Sequence, residues 1–197
     1  EAGRSRRRLS LRLSELKTHW DSAYERGQTG VSWHQKEATL SLELITGAAS
    51  GLDAPIVDIG GGASTLVDGL LDLGYTDLTV LDVSSAALQS AQDRLGSRAD
   101  AVNWVVADIL SWRPDRQFAV WHDRAVLHFL TSDEDARKYR ETIDRALDER
   151  GAAVIGVFAE NGPTSCSGLE VRRYAIGELE SLLGSSFTTV SSRAEDH

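Results

Sequence analysis

Four aspartates fall where chemistry can use them. Asp58 follows Pro55-Ile56-Val57 and leads into Ile59-Gly60-Gly61-Gly62-Ala63-Ser64; Asp82 closes Leu78-Thr79-Val80-Leu81; Asp108 follows Val102–Ala107; Asp123 follows Phe118–His122. Each adjoins a short apolar run of the kind that forms a buried strand. A glycine turn between a strand and a helix start presents backbone N–H groups to a nucleotide-like ligand. An acid at the end of the second strand accepts hydrogen bonds from both hydroxyls of a ribose. Acids at successive strand ends therefore describe a nucleoside site, which a glycine turn alone would not. A dinucleotide site would read G-x-G-x-x-G, but here the third position is Thr65. Asp58, two residues before the turn, would repel a pyrophosphate and suits a cationic or amino-acid-like ligand. Gly60 and Gly62 are the positions expected to need unusual dihedrals or close ligand approach.

The elements that must hold these residues alternate regularly. Expected strands are Ile56–Ile59, Leu78–Leu81, Asn103–Ala107, Phe118–His122 and Ala152–Phe158, with Phe187–Ser192 as a sixth at the outer edge. Expected helices are Leu16–Glu25, Lys36–Gly47, Thr65–Leu73, Ser85–Leu95 capped by Ser84, Glu134–Leu147 and Ile176–Leu183. Strands alternating with helices of this length give an α/β fold, a mostly parallel sheet with helices on both faces. Ligands of such sheets bind outside the carboxyl ends of the strands, where all four aspartates lie.

Composition narrows the class. The chain has 197 residues, 41% hydrophobic and 26% charged, enough for one globular domain with an apolar core. Its formal net charge of -9 argues against general nucleic-acid binding, which needs clustered Lys and Arg. The one basic cluster, Arg4, Arg6, Arg7, Arg8 and Arg12, is either an electrostatic arm for an anionic partner or a solvated end. The single Cys166 excludes an internal disulfide and forms no metal motif. No transmembrane or signal pattern is seen, so a cytoplasmic protein is expected. The chain begins at Glu1 and contains no Met, so targeting information could be missing with the natural start.

The motif around Asp58, Gly60, Gly61 and Gly62 resembles the first motif of the class I S-adenosylmethionine-dependent methyltransferases, whose common third glycine falls here at Ser64. The resemblance covers about residues 35 to 193. It implies a Rossmann-like fold and S-adenosyl-L-methionine as cofactor. It further implies that Asp82 binds the ribose hydroxyls, that Val83 packs on the adenine, and that Asp108 accepts from the adenine amino group with the Ile109 N–H near the ring. Asp123 would lie beside the sulfonium. No metal is implied, since only Asp133 or Asp135 lies near Asp123 in sequence.

Asp123-Arg124-Ala125-Val126-Leu127-His128-Phe129-Leu130 resembles an element of a subgroup of small methyltransferases, some acting on protein lysines and others on small thiols or heterocycles. Trp20, Tyr24 and Ser32-Trp33-His34-Gln35 resemble the same subgroup's N-terminal elements, so residues 1–34 read as a basic arm and helical lid and 35–197 as the methyltransferase domain. Trp33 would border the cofactor. His128 is the foremost candidate for a general base or substrate-orienting donor, with a structural histidine as the alternative and His122 ranking lower. Arg124 would clamp the cofactor carboxylate or pair with Asp58. Asn161–Leu169 reads as a turn-rich loop lining the pocket; Cys166 in it has no evident base partner, and direct displacement needs no covalent intermediate. Arg172 and Arg173 would meet an anionic substrate or remain solvated.

The expected activity is methyl transfer to an N, S or O atom of a small-molecule acceptor, with protein-lysine N-methylation as the alternative. An NAD-dependent oxidoreductase and a non-catalytic cofactor-binding partner subunit are the competing classes. Family members finish the sheet with a seventh, antiparallel strand inserted by a hairpin after the sixth. This sequence ends just after the sixth, so the strand is expected to be missing. The sheet edge left open would then be a surface for self-association.

Overall fold

A computed structural model of the chain describes residues 18–22, 38–124 and 126–195. Expectations for Trp33, Tyr24, Ala125 and the basic arm fall outside these residues. Residues 18–22 are helical. After them come α1 (Thr39–Ala48), β1 (Ile56–Ile59), α2 (Leu66–Asp72), β2 (Leu78–Asp82), α3 (Ser85–Leu95), β3 (Val102–Val106) and β4 (Phe118–Asp123). A 3-10 turn (Leu127–Phe129) leads to α4 (Asp133–Ala146) and β5 (Leu147–Ile155), then a small hairpin of β6 (Ser165–Cys166) and β7 (Leu169–Glu170), and α5 (Ile176–Leu183). None of the helices among the described residues is long and apolar enough to cross a membrane.

The five main strands are all parallel, in the order β3-β2-β1-β4-β5. Strand order reverses between β1 and β4, and the crevice outside their carboxyl ends is where a ligand of such a sheet binds. In register, Asp58 stands opposite Val80 on one side and His122 on the other, while Ile59 stands opposite Asp123. The period-two alternation of strand side chains sorts the core into two layers. Ile56, Val80 and Val120 face α1, α2 and α3 through Ile45, Leu66, Leu70 and Leu88. Val57, Ile59, Leu81 and Trp121 face α4 and α5 through Tyr139, Ile143, Leu179 and Leu183. Helices thus cover both faces, as the alternation of elements predicts.

Capping fixes where two helices begin. The Ser84 hydroxyl accepts from the Ala87 N–H at 3.1 Å, and that of Ser132 from the Asp135 N–H at 3.1 Å. Both define helix starts that face the carboxyl-end crevice.

Three elements depart from the sequence expectation. Residues 187–192 form no strand, and Val190 is exposed. None of the described strands pairs with this segment, so it lacks the ladder partner that a strand requires. β5 itself begins at Leu147, directly after α4, because Leu147 pairs with Phe118 across a bulge before the regular register resumes at Val120 and Ala152. The loop expected at 161–169 contains the β6–β7 hairpin. Its turn is Ser167-Gly168, with φ of 51° and 78°. Positive φ at both central residues is the two-residue hairpin geometry that a Ser-Gly pair signals.

Ile143, fully buried between α4 and the sheet, tests the second layer. Ile143→Ala is expected to cost about 2–5 kcal/mol in urea denaturation; a loss well under 1 kcal/mol would mean the layer is not packed as described.

Candidate active site

The glycine turn is built by close packing. Gly60 and Gly62 have φ of 69° and 37°, the left-handed region where glycine carries no penalty. Gly61 is needed for space: a Cβ there would lie 2.4 Å from Asp58 Oδ2 and 2.7 Å from Val80 Cγ1. The N–H groups of Gly60 and Gly61 donate to the Leu81 carbonyl, at 2.7 and 3.3 Å. The sequence expectation that the turn offers its N–H groups to a ligand therefore changes at these two residues, which are spent on extending the β1–β2 ladder. What the turn offers instead is a floor without side chains, with the Asp58 carboxylate against it. Asp58 is buried, and its Oδ1 accepts from His122 Nδ1 at 2.7 Å.

Asp82 ends β2 in the same cleft. Its Oδ1 accepts from the Ser84 N–H at 2.8 Å. Burial pushes its carboxyl up to about 7, with Asp58 and Asp21 adding to the rise and the Ser84 and Val83 backbone groups opposing it. Asp108 Oδ1 accepts from the Leu110 N–H at 3.1 Å, and its carbonyl accepts from the Ser111 and Trp112 N–H groups. That turn brings Asp108 and the buried Ile109 to the wall of the cleft, which Val83 also lines.

Residues 18–22 cross the open side. His19 Nε2 donates to the Ser167 carbonyl at 3.1 Å, and the Trp20 ring meets Phe129 edge-on at 5.4 Å. The Ser84 hydroxyl donates to Asp21 Oδ1 at 2.6 Å. One helical turn thus touches the loop after β2, the turn after β4 and the β6–β7 hairpin. Its contact through Asp21 has no counterpart in the sequence reading, because nothing in the local pattern relates positions 21 and 84.

His128 sits in the Leu127–Phe129 turn, 5% exposed, with its ring 4.2 Å from that of Phe129 and 5.0 Å from that of Phe158. It lines the cleft together with Trp20, Phe129, Phe158, Cys166 and Tyr174. Asp123 lies behind that wall, fully buried. Its carboxylate accepts from the Val126 and Leu127 N–H groups, at 2.8 and 3.1 Å, and from the Tyr139 hydroxyl at 2.6 Å. Burial and the Asp123 charge push the Tyr139 phenol well up, so it stays a donor; Trp121 Nε1 donates to it in turn at 3.0 Å. Arg124 donates to Glu195 at 2.6 Å, while Asp58 takes His122 as its partner. Arg172 pairs with Asp133 at 2.7 Å and lies over the Tyr174 ring, and Arg173 donates to the Gly162 carbonyl. The half-buried Cys166 has Ser167 Oγ 3.8 Å from its sulfur.

Comparison with known proteins supplies the remaining findings. Residues 56–151 match the methyltransferase domain family. The eEF1A lysine and N-terminal methyltransferase of Mus musculus is 29% identical over 135 residues, which are 68% of this chain and 19% of that protein. The EEF1A lysine methyltransferase 2 of Mus musculus is 26% identical over 155 residues, 70% of this chain and 63% of that protein. The chain thus spans less than two thirds of the length of either curated relative. Among solved structures, one from work on the conversion of a disulfide bond into a thioacetal group during echinomycin biosynthesis has a TM-score of 0.69 at 22% identity, covering 89% of this chain and 80% of that one. The glycopeptide N-methyltransferase MtfA complexed with sinefungin has a TM-score of 0.56 at 17% identity, over 68% and 60% of the two chains. These structural likenesses establish a shared fold.

The raised carboxyl of Asp82 makes a prediction of definite sign. Its value moves from 3.8 to about 7, so the folded chain holds a proton there that the unfolded chain releases near pH 4. The stability this provides is complete below about pH 4 and is lost as pH rises towards 7. Asp82→Asn, similar in shape and uncharged, should therefore gain stability over the wild type between about pH 5 and about pH 8 in urea denaturation. A difference that does not change with pH would contradict the buried carboxyl.

Proposed function

We propose that the chain is a class I S-adenosylmethionine-dependent methyltransferase, a reading supported by the match of residues 56–151 to the methyltransferase domain family, and that its cleft binds S-adenosyl-L-methionine across Asp58, Asp82 and Asp108. The methyl group then goes to a nucleophilic N, S or O atom of a small-molecule acceptor beside His128. The observation that carries this reading is the glycine floor. A Cβ at Gly61 would lie 2.4 Å from Asp58 Oδ2, so only glycine fits there, and the Gly60-Gly61-Gly62 turn carries no side chain of its own beside the buried carboxylates. That cradle fits a group with a diol at one end and a cationic ammonium at the other.

Each acid has work suited to its surroundings. Asp82, poised near 7, accepts from a ribose diol once ionised. Asp58, with its Oδ2 against the turn, suits the ammonium of an amino-acid tail. Asp108 accepts from an exocyclic amine, with Val83 and Ile109 against the ring. When bound, the cofactor supplies a methyl already activated on a sulfonium. The protein's remaining task is to align an acceptor, exclude water and take up a proton where the acceptor carries one. His128, whose ring packs on those of Phe129 and Phe158 at the cleft wall, is the residue assigned to take up such a proton. Asp123 is assigned an indirect part, holding the turn that carries His128, and Arg124 borders the same wall. Residues 18–22 form part of a lid, to which Trp33 is assigned from sequence.

The acceptor side of the cleft is lined by Phe129, Phe158, Tyr174 and Cys166, a neutral and largely apolar wall that suits a small acceptor. A protein lysine is the second reading, and the names of the two mouse relatives favour it.

Methyl transfer from labelled S-adenosylmethionine to small thiols, amines, heterocycles and a cell protein extract tests the assignment. Label in small molecules is expected; label confined to protein would favour the lysine reading. No transfer at all, with cofactor bound, would favour a non-catalytic subunit. In the reaction so found, His128→Ala should lower turnover by about 10²-fold and leave S-adenosylhomocysteine affinity near wild type. An equal loss of both would make His128 structural.

A further inference from the structure

His122 is placed to do more than fill the core. It lies on β4 directly opposite Asp58 on β1, so the two side chains share one face of the sheet. Its Nδ1 donates to Asp58 Oδ1 at 2.7 Å, and its Nε2 meets the Ser41 hydroxyl at 2.9 Å. All three groups are buried, with Ser41 at 2%, His122 at 3% and Asp58 at 5% exposure. Ser41 belongs to the first turn of α1, which packs on β4 and β5. A single imidazole therefore ties a covering helix, the fourth strand and the acid beside the glycine turn.

The two oxygens of Asp58 are divided between separate tasks. Oδ1 is held by His122, while Oδ2 lies over Gly61, at 2.4 Å from where a Cβ would be. A hydrogen bond at one oxygen of a buried carboxylate disfavours its rotation, which biases the aim of the other. Without His122, Asp58 would be a buried carboxylate lacking this donor, and it would turn to find another.

The order of hydroxyl, imidazole and carboxylate is also that of acyl-transfer enzymes. Here Ser41 is only 2% exposed and the carboxylate packs against the glycine turn, so the Ser41 hydroxyl is not presented as a nucleophile.

We propose that His122 is a positioning residue for the cofactor's amino-acid end: braced by Ser41, it fixes Asp58 so that Oδ2 faces the ammonium. This rests on the cofactor reading above, and specifically on Asp58 serving the amino-acid tail. It makes a distinction that a merely structural histidine would not. Fixing Asp58 matters for S-adenosylhomocysteine, which carries the amino-acid end, and not for 5′-methylthioadenosine, which lacks it.

The test measures both affinities by calorimetry on the full chain. Asp58→Asn is the reference: it should weaken S-adenosylhomocysteine by about 10-fold or more and leave methylthioadenosine near wild type. If it does not separate the two ligands, the assignment of Asp58 fails, whatever His122 does. Given that separation, the variants His122→Asn and His122→Gln decide. An Asn amide sits near the Nδ1 position and keeps the bond to Asp58; a Gln amide sits near Nε2 and keeps only Ser41. His122→Gln should reproduce the selective loss of Asp58→Asn, and His122→Asn should retain most of the wild-type ratio. Equal behaviour of the two variants on both ligands would overturn the proposal. A measurement on the unsubstituted chain guards against variants that fold poorly. The downfield Nδ1 proton of His122, seen by nitrogen-resolved NMR, should shift with S-adenosylhomocysteine and stay in place with methylthioadenosine. The same response to both ligands would also overturn the proposal.

Discussion

Everything in this fold turns on carboxylates buried at the carboxyl ends of parallel strands. A buried carboxylate is costly unless donors meet it, and the structure meets each of its three to a different degree. Asp123 is answered by the protein itself, with two backbone N–H groups and the Tyr139 hydroxyl. Asp58 has His122 on one oxygen and the bare glycine turn at the other. Among the described residues Asp82 is met by backbone donors, and its carboxyl stands near 7. That gradient runs from a structural anchor to a group whose environment a ligand would complete. It explains why the cleft takes shape around β1 and β2 while β4 supplies its support.

The remaining elements follow from that requirement. Because Asp58 and His122 stand in register on neighbouring strands, β1 must lie beside β4, which the parallel order β3-β2-β1-β4-β5 provides. α1 is needed over that face to bring Ser41 to the imidazole. α4 is needed over the other face to bring Tyr139 to Asp123, and through Asp123 to steady the turn carrying His128. On the proposed reading the two faces divide the work: the first would hold the cofactor's tail through Asp58, and the second would hold His128 beside the acceptor.

Much of this was legible in the sequence because strand ends and glycine turns leave local marks. The α/β alternation, the Ser84 cap, the positive φ of Gly60 and Gly62 and the strand-end places of all four aspartates could be read from neighbouring residues alone. The partner of Asp58 could not. His122 and Ser41 are 64 and 81 positions from their bonded partners, and only the lateral order of strands joins them. For the same reason Arg124 was a reasonable expectation for Asp58, although the register gives that place to His122. The outer segment 187–192 has the composition of a strand, but a strand exists only with a ladder partner, and local pattern does not reveal one. Ser167-Gly168 is the opposite case, a turn signal present in the sequence and read only as loop.

The most direct test of the account is the pH dependence of S-adenosylhomocysteine binding, measured by calorimetry in buffers of different ionisation enthalpy. If a diol donates to an ionised Asp82, binding must drive a proton off a carboxyl that stands near 7 in the free chain. Affinity should therefore rise as pH increases through about 7 and level off above it, with close to one proton released below that point. Affinity that is flat or falls across the same interval, with no proton released, would contradict the central claim that the cofactor completes the buried carboxylate of Asp82.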